Sequence, residues 1–316
     1  MKEVTVDRFP DGAWPVMLTP FREDRSIDWD AVDAYADWLI RMGSAGIFTV
    51  ALSSEMFDLT PSERVALTRR VVDAADGRAP VIASALAGEG LSVAEAAAGL
   101  VEAGAAGVVL IASSLATPEE PDDVLIGRMQ TVLERVPDVP FGIYECPVPY
   151  KRLLTLETVR WLAETGRFVF YKDTSHRVDV MTARIEATRG TPLKHYNAAI
   201  SSLVSTLRAG GHGFSGYAAN IYPDVVAWLC ANVAAAPAPE VERAQRLLSV
   251  AEHAINSRYP TSAKYLLAHR AGLPVLPVSR WKPESIGPHE GQPLRDLVDY
   301  IASLELPGLR ASSRTR

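Results

Sequence analysis

Lys172 closes the run Phe168-Val169-Phe170-Tyr171-Lys172-Asp173-Thr174-Ser175, a short apolar, β-prone stretch that delivers an amine at its end. An ammonium group ordinarily stays in water, so a lysine finishing a buried strand either snorkels to the surface or loses its charge. A neutral amine attacks ketones. The Schiff base that results is an electron sink for making or breaking the neighbouring C–C or C–O bond. A second apolar run, Phe141-Gly142-Ile143-Tyr144-Glu145-Cys146-Pro147, ends in a tyrosine and a proline-marked loop. A phenol at that strand end is either a rim tyrosine or a group that passes protons to the amine.

Both residues are positioned by an alternation of β-prone runs and amphipathic helical stretches, the pattern of a parallel sheet wrapped in helices. Strands are expected at 14–18, 46–51, 80–84, 107–111, 141–144, 168–172, 193–197 and 213–216. Helix starts are marked by the capping boxes at Thr60-Pro61-Ser62-Glu63 and Ser92-Val93-Ala94-Glu95. Helix ends fall before Gly43, Gly104, Gly166 and Gly210. Eight strands with mostly helical connections suit a closed (β/α)8 barrel, an α/β fold, better than an open sheet. Additional C-terminal helices follow, read at 239–255, 262–271 and 294–304. The expected organisation is an N-terminal extension (1–12), the barrel (13–235), C-terminal helices packed on it (236–308) and a Ser/Arg-rich tail (309–316), with the two ends peripheral.

In such a barrel the βα loops gather at the C-terminal face, which brings several polar residues together with Lys172 and Tyr144. Ser53, Ser54, Ser113, Ser114, Asn197, Ser215 and Gly216 all sit at expected strand ends. A serine-rich rim of this kind favours a hydroxylated substrate. Glu145, next to Tyr144, could touch the far part of a substrate or act as a second acid/base, although strand alternation turns it away from the barrel axis.

The composition narrows the partner. At 316 residues and 48% hydrophobic the chain has ample core for one large barrel. A net charge of -6 gives no basic stripe for nucleic acid, and no run reaches the length of a membrane span. The first residues contain no apolar signal core, and two cysteines, Cys146 and Cys230, make no disulfide framework, so a reducing cytoplasmic setting is expected. Gly211-His212-Gly213-Phe214-Ser215-Gly216 fits G-x-G-x-x-G, but it follows a helix and enters a strand, the reverse of a dinucleotide fingerprint. The six histidines form no H-x-H or H-E-x-x-H arrangement, so no metal site is expected. A small-molecule partner is favoured.

Four motifs in order carry a family resemblance: Leu18-Thr19-Pro20-Phe21; Ala51-Leu52-Ser53-Ser54-Glu55 with Leu59-Thr60 and Glu63-Arg64; Ile143-Tyr144-x-x-Pro147; and the strand ending Lys172-Asp173-Thr174-Ser175. From about Trp14 to Pro283 the chain resembles the dihydrodipicolinate synthase and N-acetylneuraminate lyase family of class I aldolase-type barrels. The resemblance implies Lys172 as Schiff-base former and Tyr144 as proton shuttle. It implies that Ser53 and Ser54 hold the carboxylate of pyruvate or another 2-oxo acid, with Gly213, Ser215, Gly216 and Tyr217 near that carboxylate and the lysine. No cofactor is implied, and a homo-oligomer, dimer or tetramer, is.

The departures from the family pattern matter equally. Leu52 stands where the family carries a relay hydroxyl, and Ser113-Ser114-Leu115 where the synthases have Pro-Tyr-Tyr. Pro149 stands where those synthases place an arginine for the carboxylate of aspartate semialdehyde, so a bidentate anchor is lost unless Lys151 or Arg152 replaces it. The reading is a Schiff-base lyase acting on a 2-oxo acid. Three alternatives stay open: a true 4-hydroxy-tetrahydrodipicolinate synthase, a dehydratase of a keto-deoxy sugar acid, and a non-catalytic barrel that binds a 2-oxo acid.

Overall fold

Strands β1 (Gly12–Ala13), β2 (Ile47–Val50), β3 (Val81–Ser84), β4 (Gly107–Ile111), β5 (Phe141–Tyr144), β6 (Phe168–Asp173), β7 (Lys194–Asn197) and β8 (Gly213–Phe214) form one parallel sheet in the computed structural model, which describes residues 9–303. Nearly every residue in them is buried, as strands covered on both faces require. Around them run α1 (Trp29–Arg41), α2 (Pro61–Ala75), α3 (Val93–Glu102), the single turn α4 (Ala112–Leu115), α5 (Asp122–Arg135), α6 (Leu156–Glu164), α7 (Val178–Ala187) and α8 (Leu203–Arg208). After β8 come α9 (Pro223–Asn232), α10 (Ala238–Ile255), α11 (Thr261–Ala271) and α12 (Pro288–Ala302). The expected peripheral segments 1–8 and 304–316 lie outside the described residues.

The strand order β1-β8-β7-β6-β5-β4-β3-β2 leaves one seam, between β1 and β2. It is closed just past β1, where Val16 bridges Phe48 in parallel, Met17 N donates to Phe48 O (2.9 Å) and Phe48 N donates to Pro15 O (2.9 Å). The sheet therefore returns on itself as a (β/α)8 TIM barrel. The first strand thus lies at Gly12–Ala13, ahead of the expected 14–18, within which only Val16 makes an isolated bridge. Pro15 has no N–H to donate, so the segment changes partner at that point: Trp14 N still donates to Phe214 O of β8 (2.8 Å), and Pro15 O already accepts from β2. The β1–β8 side of the seam is tight. A Cβ on Gly213, whose φ is +157°, would lie 2.0 Å from Gly12 O.

The capping boxes at Thr60 and Ser92 form as their spacing predicts. Gly43, Gly104, Gly166 and Gly210 follow helix ends with φ of 94, 93, 63 and 98°. Helix α12 starts earlier than expected, with Pro288 at its first position and Glu290 accepting from Gly287 N (3.0 Å), and it carries Pro293 inside.

Inside the barrel the rings interlock. Phe170 stacks on Tyr196 (4.3 Å between centroids) and meets the edge of Trp14 (5.1 Å) and of Phe48 (6.1 Å). Alternation along β6 puts Phe170 and Lys172 on this inner face and Tyr171 and Asp173 on the outer one. An aromatic floor thus lies one step below the amine.

The C-terminal helices are clasped to the loop after β2. Lys264 Nζ of α11 reaches Glu55 Oε1 (2.5 Å) and Val278 O (2.6 Å), and Glu55 Oε2 accepts from Ser279 Oγ, Arg280 N and Trp281 N. Arg280 adds a bidentate pair with Glu63 (2.8 and 2.8 Å), and Arg270 donates from one nitrogen, Nη2, to both oxygens of Asp224 (2.7 and 2.7 Å). Lys264 and Glu55 are both fully buried, so removing one partner strands the other's charge. Lys264→Ala is expected to lower unfolding free energy by about 3–5 kcal/mol in a denaturant titration. A loss within the range of an ordinary surface substitution would show that the pair holds nothing in place.

Candidate active site

Tyr144 and Lys172 are partners in register across β5 and β6. The Lys172 amine lies 4.1 Å from the centroid of the Tyr144 ring and 5.6 Å from that of Phe48. Two ring faces favour a cation, but they do not replace water, and Lys172 is only 4% exposed. Burial dominates, pulling the amine down from 10.5 to about 7, with the Cys146 thiol opposing slightly. A substantial fraction is then neutral, nucleophilic amine at physiological pH. Burial works in the opposite direction on Tyr144, pushing its phenol well above the ordinary value of 10, helped by the adjacent Cys146. Tyr144 therefore keeps its proton and is available as a donor.

Behind the strands lies a buried polar cluster that the sequence reading missed. Arg184 of α7 pairs with Asp173 (2.7 Å) and Glu145 (3.1 Å). Glu145 Oε1 also accepts from Tyr171 Oη (2.8 Å) and Leu154 N (2.8 Å), and Oε2 from Thr174 N (3.1 Å). This corrects the expectation that Glu145 contacts the substrate. Its side chain points outward, away from the Lys172 amine, and every oxygen is taken. Burial first, and the Asp173 carboxylate second, push its carboxyl up, with Arg184 opposing. The cluster ties the end of β5 to the end of β6, and so fixes the separation of Tyr144 from Lys172.

Ser53 and Ser54 lie in a single 3-10 turn, Leu52–Ser54, directly after β2. They differ in availability. Ser54 Oγ donates to Met17 O (2.7 Å) and accepts from Ala51 N (3.0 Å), while Thr19 Oγ1 donates to Ser54 O (2.7 Å). The Ser54 hydroxyl thus holds the turn together and is not free for a ligand. Ser53 is the hydroxyl left over, 6% exposed and facing the phenol of Tyr259.

The other expected rim residues divide in the same way. Asn197 is saturated by Ser202, Thr206 and Ala199 N. Ser113 and Ser114, both in the single turn α4, donate to Val148 O (3.2 Å) and to Ile111 O at the end of β4 (2.8 Å). Gly213 and Gly216 are close-packing positions: a Cβ on Gly216 would lie 2.5 Å from the Phe214 ring, and Gly213 serves the β1–β8 seam. Ser215 alone in that stretch presents a buried hydroxyl with no hydrogen-bond partner. Among the residues the sequence reading passed over, Asn220 and Tyr259 also hold buried polar atoms without a partner. Neither sits in a periodic pattern that would single it out, and Tyr259 arrives from the C-terminal layer.

The geometry can support capture of a carbonyl compound by a dehydrated amine beside a protonated phenol. Comparison with known proteins identifies the family. The sequence profile of the Dihydrodipicolinate synthetase family matches residues 10–292. A 4-hydroxy-tetrahydrodipicolinate synthase of Azoarcus sp. is 29% identical over 304 residues, covering 95% of this chain and 97% of its own. That of Gluconacetobacter diazotrophicus is 28% identical over 280 residues, covering 85% and 92%. Among solved structures, a prophage protein of the dihydrodipicolinic acid synthase family from E. coli K12, in complex with pyruvate, superposes with a TM-score of 0.83 at 22% identity, covering 92% of this chain and 98% of its own.

The state of the amine sets a pH signature. Attack on a carbonyl needs the neutral form, so the rate of adduct formation with a 2-oxo acid should rise with pH through a midpoint at about 7 and then level off. Borohydride trapping across a pH series measures it, and a midpoint near the ordinary lysine value of 10.5 would mean that the amine is solvated.

Proposed function

The chain belongs to the Dihydrodipicolinate synthetase family, and from that membership we propose that it is a lyase that captures pyruvate or another 2-oxo acid as a Schiff base on Lys172. The observation that carries the proposal is the Lys172 amine, stripped of water and lying 4.1 Å from the Tyr144 ring. Its nitrogen adds to the C2 carbonyl to give a carbinolamine. Tyr144 donates its proton to the departing oxygen, which leaves as water, and the iminium remains. The Tyr144 phenolate then takes a proton from C3, which restores the phenol and gives an enamine; the enamine either attacks an aldehyde or, in reverse, is released by C–C cleavage. A hydroxyl on the neighbouring carbon would instead allow loss of water. Hydrolysis frees the lysine, and no step calls for a metal.

A second reading, 4-hydroxy-tetrahydrodipicolinate synthase, is favoured by the names of the relatives. It needs a cation for the carboxylate of aspartate semialdehyde, and Pro149 supplies none. Arg152 is not a substitute: it is 6% exposed and bound to Asp122 (2.8 Å) and Thr117 O. Lys151 is exposed and near His176, whose pKa is lowered by burial and then by that lysine's charge. It is the remaining candidate anchor. The non-catalytic alternative is disfavoured because Lys172 and Tyr144 are both present and adjacent. A cytoplasmic homo-oligomer is part of the proposal, supported by the unpaired Cys146 and Cys230 and by the family resemblance. No helix among the described residues is long and apolar enough to cross a membrane.

Borohydride reduction in the presence of pyruvate should add mass to Lys172, and an adduct on Lys194 or Lys264 would move the site. Tyr144→Phe should reduce turnover on the order of a hundredfold while the fold is kept, and undiminished turnover would remove the phenol from the mechanism. Condensation of pyruvate with aspartate semialdehyde should be weak in the unmodified protein. Efficient condensation that Lys151→Ala abolishes would establish the synthase instead.

A further inference from the structure

The turn Leu52–Ser54 is closed by a residue in an uncommon conformation. Glu55 sits in the left-handed region (φ 60°, ψ 41°), and its N–H donates back to Leu52 O (3.0 Å), which shuts the turn. A residue with a side chain keeps that conformation where its surroundings impose it. Those surroundings come from the far end of the chain. Lys264 Nζ donates to Glu55 Oε1 (2.5 Å), and Ser279 Oγ (2.9 Å), Arg280 N (2.6 Å) and Trp281 N (2.9 Å) all donate to Oε2. The segment 278–282 that carries these donors is itself fastened. Val278 O accepts from Lys264 Nζ (2.6 Å), Lys282 N donates to Ser279 Oγ (3.0 Å), and Arg280 donates to Arg25 O (2.9 Å) and Asp58 O (3.0 Å). The Phe21 ring meets both cations, with Lys264 Nζ 4.4 Å and the Arg280 guanidinium 4.6 Å from its centroid. The segment is thus a strap across the stretches that follow β1 and β2. Its cargo lies close to the amine, because the strand that leads into the turn also carries Phe48, whose ring centroid is 5.6 Å from Lys172 Nζ.

We propose that Lys264 and Ser279 are positioning residues for substrate binding: by gripping Glu55 they keep the turn Leu52–Ser54 in the shape that receives the carboxylate of a 2-oxo acid. Beyond holding the C-terminal helices in place, the grip then sets affinity for one end of the ligand. It acts in two ways. The Ser279 hydroxyl and the two backbone N–H groups beside it hold the Glu55 carboxylate in place, and with it the left-handed residue that ends the turn. Lys264 cancels the charge of that carboxylate, which is 1% exposed and would otherwise repel an anion bound next to it. The inference rests on the Schiff-base reading and on this turn as the seat of the 2-oxo acid carboxylate.

The test compares two probes by the concentration that half-saturates borohydride trapping on Lys172: pyruvate, and its methyl ester, which keeps the ketone and lacks the charge. The wild-type protein should favour pyruvate on the order of tenfold, the worth of a hydrogen bond to a charged group. In Lys264→Met that preference should fall towards one, and in Ser279→Ala by about threefold, the worth of one net hydrogen bond. The trapping rate at saturation and its pH midpoint should stay as in the wild type. Ser279→Ala removes a single hydroxyl, so it remains decisive if Lys264→Met does not fold. A preference that survives Ser279→Ala overturns the proposal. That includes the case where both probes weaken together, because a general loosening of the fold lowers affinity for acid and ester alike. A wild-type preference near one overturns it as well, since the turn then reads no carboxylate. If neither probe modifies Lys172 in the wild-type protein, the Schiff-base reading falls and the positioning role with it, a result distinct from adducts that form without discrimination.

Discussion

A dry environment around one amine is the constraint on which this structure depends. Taking Lys172 from 10.5 to about 7 costs the fold on the order of 5 kcal/mol at neutral pH. Between those two values the unfolded chain holds a proton that the folded one has released, so the cost shrinks as pH rises and vanishes above the upper value. The expense is comparable with the whole net stability of many domains. It is tolerated because the aromatic floor of Phe170, Tyr196, Trp14 and Phe48 buries large area with well-matched rings. The same rings exclude the water that would recharge the amine.

The opposite face of β6 carries the opposite solution. Asp173 and Glu145 are as buried as Lys172, but they are kept in place by Arg184 and by a full set of donors. Two adjacent positions on one strand thus treat buried charge in contrary ways. Inside the barrel the charge on Lys172 is discouraged by burial. Outside it, charges are matched and become structure, holding the strand ends that carry Tyr144 and Lys172 at a fixed spacing.

Much of this was legible in the residues. The barrel followed from strand spacing, two capping boxes and the glycines at helix ends, all local signals whose geometry is set within a few positions. Lys172 and Tyr144 were legible because a polar residue ending an apolar run is anomalous. What could not be read was how each rim hydroxyl would be spent. Ser53 and Ser54 are identical in type and adjacent in sequence, yet one locks the turn through Met17 and the other is left over. Asn197 and Asn220 differ in the same way, one saturated and one unpaired. Arg184 was missed because its partners lie on two other elements, and Tyr259 because it joins the barrel from outside it.

The clasp between Glu55 and Lys264 gives the molecule a chronology. Its two halves are 209 positions apart, so a ribosome delivers the turn that carries Ser53 long before the lysine that neutralises the turn's glutamate. A nascent chain that has already wound all eight strands still lacks Tyr259 and still has a buried carboxylate without its cation. Domains form as they emerge, but here the barrel alone is an unfinished vessel. The segments that follow the barrel in the chain supply Tyr259 and the cation for Glu55.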